Sequence, residues 1–212
     1  MNIILASGSP RRRELLVTSY PNLQILSVEI DETPYTDEPP TAYIKRMISD
    51  KSAAAIKNLN TQNHQYHQSA ASDASIILTA DTIGVLPDGK TVLIKPSDRC
   101  DAYQMWQQMS DNSHQVWTAV QATKVVWCAD NQILQVIGQR QIIERTDVTF
   151  VPLTADMMHR YWESGEPQDK AGGYAIQGLA AAWVTHIHGS YTNVVGLPLA
   201  QTLALIEHVN SL

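Results

Sequence analysis

The order of apolar and polar positions predicts a protein of mixed strands and helices. Asn2–Ala6 is a short apolar run of strand type, followed by a Ser7-Gly8-Ser9-Pro10 turn. Pro10 suits a first helical turn, so Arg11–Ser19 reads as a helix. Thr41–Lys57 places Ile44, Met47, Ile48 and Ala55 on one helical face. Ser75–Leu86 is a β-rich run; Pro87-Asp88-Gly89 turns the chain, and Thr91–Ile94 returns beside it. Asp98–Ser110 reads as a helix, and β-branched and aromatic residues mark Gln115–Cys128 and Ile133–Phe150 as long strands. Thr154–Ser164 is a helix capped by Thr154 and closed by Gly165. Ala180–His188 reads as a strand, and Pro198 opens a last helix that turns Leu199, Leu203 and Ile206 to the core. This is an α/β protein of mixed α+β type with long antiparallel strands, not a regular βαβ array.

Polar residues that break these patterns carry the chemistry. Lys51 lies in the middle of the apolar stripe of its helix, where a lysine must snorkel or meet an anion. Asp81 interrupts a buried strand; a desolvated carboxylate is costly, so it is either paired structurally or functional. Strand, Gly/Ser turn and helix start at Leu5–Arg13 form a physical phosphate site, because free backbone N–H groups and the helix dipole both favour an anion. Val28–Glu38 holds five acids and no base, which reads as a solvated loop or as the source of one metal-facing carboxylate. Asn58–Ser75 reads as a polar surface insertion, and its His64 and His67 lack a partner that would complete a metal set.

Composition narrows the function. Among 212 residues, Lys+Arg number 15 against 21 Asp+Glu, a net charge of -6, which argues against a general nucleic-acid binder but not against one small anion. No apolar run reaches the about 18 residues of a membrane span, and the N-terminal order of apolar and basic residues is the reverse of a signal peptide. Cys100 and Cys128 match no zinc or redox spacing, so a cytoplasmic location is the simplest expectation.

These segments together resemble the Maf family of nucleoside triphosphate pyrophosphatases. The resemblance covers almost the whole chain. It rests on Leu5-Ala6-Ser7-Gly8-Ser9-Pro10-Arg11-Arg12-Arg13-Glu14-Leu15-Leu16, Asp31-Glu32, Arg46 with Lys51, Ala80-Asp81-Thr82 and Lys95-Pro96. It continues through His114-Gln115-Val116 with Thr118, Asp169-Lys170-Ala171-Gly172-Gly173-Tyr174-Ala175-Ile176-Gln177-Gly178, and Asn193-Val194-Val195-Gly196-Leu197-Pro198-Leu199. It implies a Maf/ITPase-like fold: one domain over 1–212, with an elongated mixed sheet and two lobes around a cleft. It also implies cleavage between the α- and β-phosphates, a divalent cation (Mg or Mn) and a homodimer. Arg11, Thr82 and Gln177 stand where the family's substrate branches differ, and all three side with the dTTP/UTP branch. The departures are Thr79 where Gly is usual, Ser52 where Ala is usual, and a slightly longer hairpin after Asp88.

The resemblance also implies roles. Ser7, Arg11, Arg12 and Arg13 would cradle phosphate, with Lys51, Lys95 and Lys170 adding cations from three other segments. Asp81 would accept the proton of the attacking water, and Glu32 with Asp81 would face the metal. The Gln177 amide can pair with N3–H and a carbonyl of uracil or thymine. His114 reads as a structural hydrogen-bonding residue. The alternative is a different class, a nucleotide- or DNA-binding regulator of cell division.

Overall fold

The computed structural model describes residues 2–61, 74–93, 95–130, 132–167 and 170–212. One sheet runs through it, in the order β2 (Gln24–Ile25), β1 (Asn2–Leu5), β3 (Ser75–Val85), β5 (Ser113–Cys128), β6 (Ile133–Phe150) and β7 (Val184–His188), with β4 (Val92–Leu93) also on β3. The pairs β1–β2 and β1–β3 are parallel, and the others are antiparallel. The helices are α1 (Pro10–Val17), α2 (Pro40–Thr61), α3 (Arg99–Met109), α4 (Ala155–Glu163), α5 (Tyr191–Val195) and α6 (Leu199–Asn210). The second strand of the long hairpin, β6, has the bounds that its β-branched and aromatic residues marked, and β3, α3 and α4 agree with the sequence to within two residues at each end.

β3 is covered on both faces, which is why it reads as an almost unbroken apolar run. Ile76, Leu78 and Ala80 point toward Leu16 of α1 and Leu205, Ile206 and Val209 of α6. Ile77 points the other way, with Ala55 and Leu59 of α2; Ile83 packs on Ile44, Met47 and Ile48 of the same helix. Two of the departures from the family pattern lie at the interface of α2 with the sheet. Thr79 Oγ1 donates to the Ile48 carbonyl at 2.9 Å, and Ser52 Oγ is 3.0 Å from Thr123 Oγ1, so both buried hydroxyls are satisfied.

β1 pairs with β3 only as far as Leu78, and β4 takes up the same edge only at Gly84 and Val85. Between them the β3 edge has no strand partner among the described residues, and there the sheet opens into a cleft. A separate aromatic core of Trp106, Phe150, Tyr161, Tyr174 and Trp183 closes the far side of this opening.

Two expectations change. Ala180–His188 is not one strand: Leu179–Trp183 forms a 3-10 helix and only Val184–His188 pairs with β6. The three alanines lack the β-branching that favours extended chain, and the tight turn delivers Trp183 edge-on to Trp106 and Tyr161. In α6 the fully buried face is Thr202, Leu205, Ile206 and Val209; Leu199 packs half-buried against the same core as expected, and Leu203 is only half-buried. Thr202 enters that face because its hydroxyl donates to the Pro198 carbonyl at 2.8 Å. The polar stretch 62–73 with His64 and His67 lies outside the described residues, as do Ile94 and Asp169. No described helix is long and apolar enough to cross a membrane.

Candidate active site

The cleft has a volume of about 830 Å³. It is built at the C-terminal end of β1, the usual place for a ligand beside parallel strands. β3 supplies its floor. Two consecutive residues leave this strand on opposite faces, as the two-residue period demands: Asp81 faces α2, and Thr82 faces α1.

On the α2 side, Lys51 resolves the puzzle of a lysine in an apolar stripe. Its Nζ donates to Asp81 Oδ1 at 2.6 Å and is 2.9 Å from Glu32 Oε1. The side chain of Lys51 is 10% exposed and that of Asp81 14%, against 46% for Glu32. The lysine therefore meets anions, and Asp81 is a paired carboxylate that also faces the cleft. Burial pushes the Glu32 carboxyl up, but the hydrogen bond and charge of Lys51, helped by Lys95 and Arg12, outweigh it and hold Glu32 below its ordinary value.

On the α1 side, Arg12 fills the gap in the sheet edge. Its Nη1 donates to the Ala80 carbonyl at 2.9 Å and to Ser7 Oγ at 3.2 Å. Nη2 donates to Thr82 Oγ1 at 3.0 Å and Nε to the Gly196 carbonyl at 2.9 Å. Burial lowers its pKa, opposed by Asp81 and Glu32, yet a guanidinium stays charged under these conditions. Arg12 is thus a structural strut as well as a cation beside the cleft. Arg11 donates from Nε to the Val195 carbonyl at 3.3 Å and lines the cleft. The three consecutive arginines fan out around the helix: Arg13 is exposed and is not among the lining residues. The expected cradle is therefore corrected to Ser7, Arg11 and Arg12. Ser9 precedes α1 without a side-chain cap, which leaves first-turn N–H groups free to meet an anion.

The opposite wall comes from Lys95, Lys170, Tyr174, Ile176 and Gln177. Lys95 and Gln177 are exposed within it, whereas Lys170 Nζ donates to the Glu166 carbonyl at 2.6 Å. The turn that brings Lys95 and Lys170 to one wall needs its glycines. Gly172 and Gly173 have φ of +69° and +63°, and a Cβ on Gly173 would come within 3.1 Å of Pro96. Beneath this wall, His114 Nε2 is 2.7 Å from the Tyr174 hydroxyl, and burial lowers its pKa to about 4. His114 is therefore a neutral, structural hydrogen-bonding residue.

Ten of the expected site residues therefore border one cleft: Ser7, Arg11, Arg12, Glu32, Lys51, Asp81, Thr82, Lys95, Lys170 and Gln177. Tyr43 and Tyr174, to which sequence reasoning gave no role, also line it. Asp81 and Glu32 converge on one nitrogen, a hard all-oxygen donor pair of the kind magnesium uses with substrate phosphates and water. Among the described residues no three His, Cys, Asp or Glu side chains gather as a metal cage. The donor set fits Mg or Mn held jointly with a phosphate, not a closed zinc site.

Cations at a helix start thus face a lysine-bridged carboxylate pair across one cleft, an arrangement suited to binding a polyphosphate. The chain belongs to the Maf-like protein family, whose model matches residues 2–209. It is 62% identical to the dTTP/UTP pyrophosphatase of Psychrobacter cryohalolentis over 99% of this chain and 98% of that one. It is 61% identical to the dTTP/UTP pyrophosphatase of Psychrobacter arcticus, over 100% and 96%. A more distant relative, the dTTP/UTP pyrophosphatase of Pseudoalteromonas atlantica, is 40% identical over 98% and 97%. Among solved structures, the Staphylococcus aureus Ham1 protein gives a TM-score of 0.42 at 12% identity over 71% of this chain and 72% of that one, too loose a likeness to argue from.

Proposed function

We propose that this chain hydrolyses dTTP and UTP to the nucleoside monophosphate and pyrophosphate, removing surplus or modified pyrimidine triphosphates. The observation that carries this reading is the single lysine, Lys51, shared by Asp81 and Glu32 in a cleft whose other walls hold Arg11, Arg12, Lys95 and Lys170. Those cations neutralise the triphosphate, and the free N–H groups at the start of α1 with Ser7 hold one phosphate in place. Asp81 accepts a proton from the attacking water as its oxygen bonds to the α-phosphorus; the bond from that phosphorus to the bridging oxygen breaks, and pyrophosphate leaves. Lys51 holds Asp81 in place through the contact to its Oδ1. Glu32 and Asp81 would hold a magnesium or manganese ion, which when bound supplies further charge neutralisation.

Gln177 reads the base: its amide offers a donor and an acceptor to the N3–H and carbonyl edge of uracil or thymine. Thr82 bears on selection through Arg12, whose Nη2 it receives. The enzyme works in the cytoplasm as a homodimer. The test is a panel of triphosphates with Mg or Mn, scored for pyrophosphate. Release from dTTP and UTP should exceed that from guanine derivatives, and no turnover of any triphosphate would refute the proposal. The same assay on Asp81→Asn separates catalysis from a regulator of cell division, since a cellular effect that survived loss of hydrolysis would favour regulation.

A further inference from the structure

Glu32 sits on a segment with no regular secondary structure, between β2 and α2, and residues 31–37 of it are exposed. Such a segment has no strand or helix hydrogen bonds to order it, so side chains must do so. Arg46 of α2 does most of this. Its Nε donates to Glu38 Oε1 at 2.8 Å and its Nη2 to Glu38 Oε2 at 2.7 Å, a two-pronged ion pair. The same Nη2 donates to the Thr33 carbonyl at 3.0 Å, and the guanidinium lies 3.9 Å above the Tyr35 ring. Three residues earlier on the same helix, the Tyr43 hydroxyl donates to the Glu32 carbonyl at 2.9 Å.

The carbonyls of Glu32 and Thr33 are thus both pinned to α2. That leaves the Glu32 side chain directed at Lys51, which α2 also carries five residues beyond Arg46. Arg46 does not line the cleft. The Arg46 side chain is 17% exposed and that of Glu38 8%, so the pair lies against the protein and does not extend into solvent. One helix therefore fixes both the lysine and the loop whose carboxylate must reach it.

We propose that Arg46, locked by Glu38, is a positioning residue that holds Glu32 in the active cleft and thereby sets the affinity for the divalent cation. The metal part rests on the reading of Glu32 as a metal-side carboxylate, and the experiment separates the two. Amide hydrogen exchange across residues 31–36 is measured on the metal-free protein for wild type, Arg46→Gln, Glu38→Gln and Glu32→Gln. Binding of Mn²⁺ to the same proteins is followed by its paramagnetic resonance signal. Arg46→Gln and Glu38→Gln should speed loop exchange and weaken Mn²⁺ binding by about 10-fold, the usual cost of losing a residue that orients a metal ligand. Glu32→Gln should weaken Mn²⁺ without speeding exchange. Arg46→Lys should restore binding only in part, because an ammonium cannot make the two-pronged contact. Unchanged exchange in Arg46→Gln overturns the proposal, as does unchanged Mn²⁺ affinity there when Glu32→Gln has lost it. Unchanged Mn²⁺ affinity in Glu32→Gln overturns the metal reading of Glu32, and with it the metal half of the proposal; the exchange arm still decides whether Arg46 holds the loop.

Discussion

Lys51 Nζ and Asp81 Oδ1 are 2.6 Å apart across the α2–β3 interface, and this contact joins the packing of the protein to its chemistry. The lysine belongs by spacing to the apolar face of α2, beside Met47, Ile48 and Ala55. Removing the Lys51 charge leaves Asp81 in a mostly buried place without this partner, which costs more than breaking an exposed ion pair, whereas removing the Asp81 charge leaves Lys51 with Glu32 alone.

Asp81→Asn should keep the fold and lose turnover by about 10²-fold or more, the usual span for a missing general base being 10²–10⁴. Pyrophosphate release at saturating dTTP checks this. A variant retaining near-normal turnover would show that Asp81 is not the proton acceptor.

Lys51→Met should move the Glu32 carboxyl upward. Glu32 is held below its ordinary 4.5 chiefly by Lys51 against the opposing effect of burial. In the wild type its contribution to stability is therefore present above pH 4.5 and is lost as pH falls through the lower folded value. In the variant only Lys95 and Arg12 oppose burial, so this contribution shrinks. Carboxyl-carbon NMR titration reads the change, and an unmoved Glu32 would mean that Lys51 does not hold its charge.

The neighbouring arginines should behave differently. Arg12→Lys forfeits hydrogen bonds to Ala80, Thr82 and Gly196 and leaves an inward-facing carbonyl unsatisfied, a loss of about 2–3 kcal/mol. Arg13→Ala touches an exposed side chain and should stay within about 0.5 kcal/mol of wild type. Thermal unfolding and dTTP turnover of the two variants, side by side, test the difference.

His114 predicts a loss of stability toward acid. Its folded pKa of about 4 lies below the ordinary 6.5, so between those values the unfolded chain binds a proton that the folded one refuses. Stability should fall with pH across this window by up to about 1.4 kcal/mol per unit. His114→Gln should flatten that slope in denaturant titrations at pH 7 and pH 5. An equal slope in the variant would assign the acid sensitivity elsewhere.

Gly178→Ala tests the placement of Gln177. A Cβ there would collide with the Glu166 carboxylate, which accepts from the Leu179 N–H at 2.9 Å. The Glu166 side chain must swing away and release the Leu179 N–H beside Gln177, so KM for dTTP should rise several-fold while the melting temperature moves little. An unaltered KM would show that Gln177 does not depend on this contact.

Much of this was legible in the chain because strand and helix periods are local. β6 ends where its run of β-branched and aromatic residues ends, and the cations of the cleft stood out beside turns and strand ends. What was not legible depends on distant partners. Lys51 could be seen as misplaced, but not that two carboxylates from separate segments meet it. Three arginines in a row look equivalent in sequence; only the position of α1 against β3 and α5 separates Arg12 from Arg13. Ala180–Trp183 turns tightly for the sake of an aromatic cluster assembled from α3, α4 and β6, which no local window contains. β2, two residues long, and α5, five residues long, are too short to show a period.

The opposed directions of Asp81 and Thr82 on β3 set different tolerances for two kinds of genetic change. A substitution at Thr82 alters the surroundings of Arg12 while leaving the α2 interface intact, so selectivity can drift while the Lys51–Asp81 contact stays in place. A single-residue insertion or deletion earlier in the strand would exchange the faces, presenting the carboxylate to α1 and the hydroxyl to Lys51. Point mutations can therefore explore new substrates at this strand, whereas length changes between Ser75 and Asp81 should abolish activity outright.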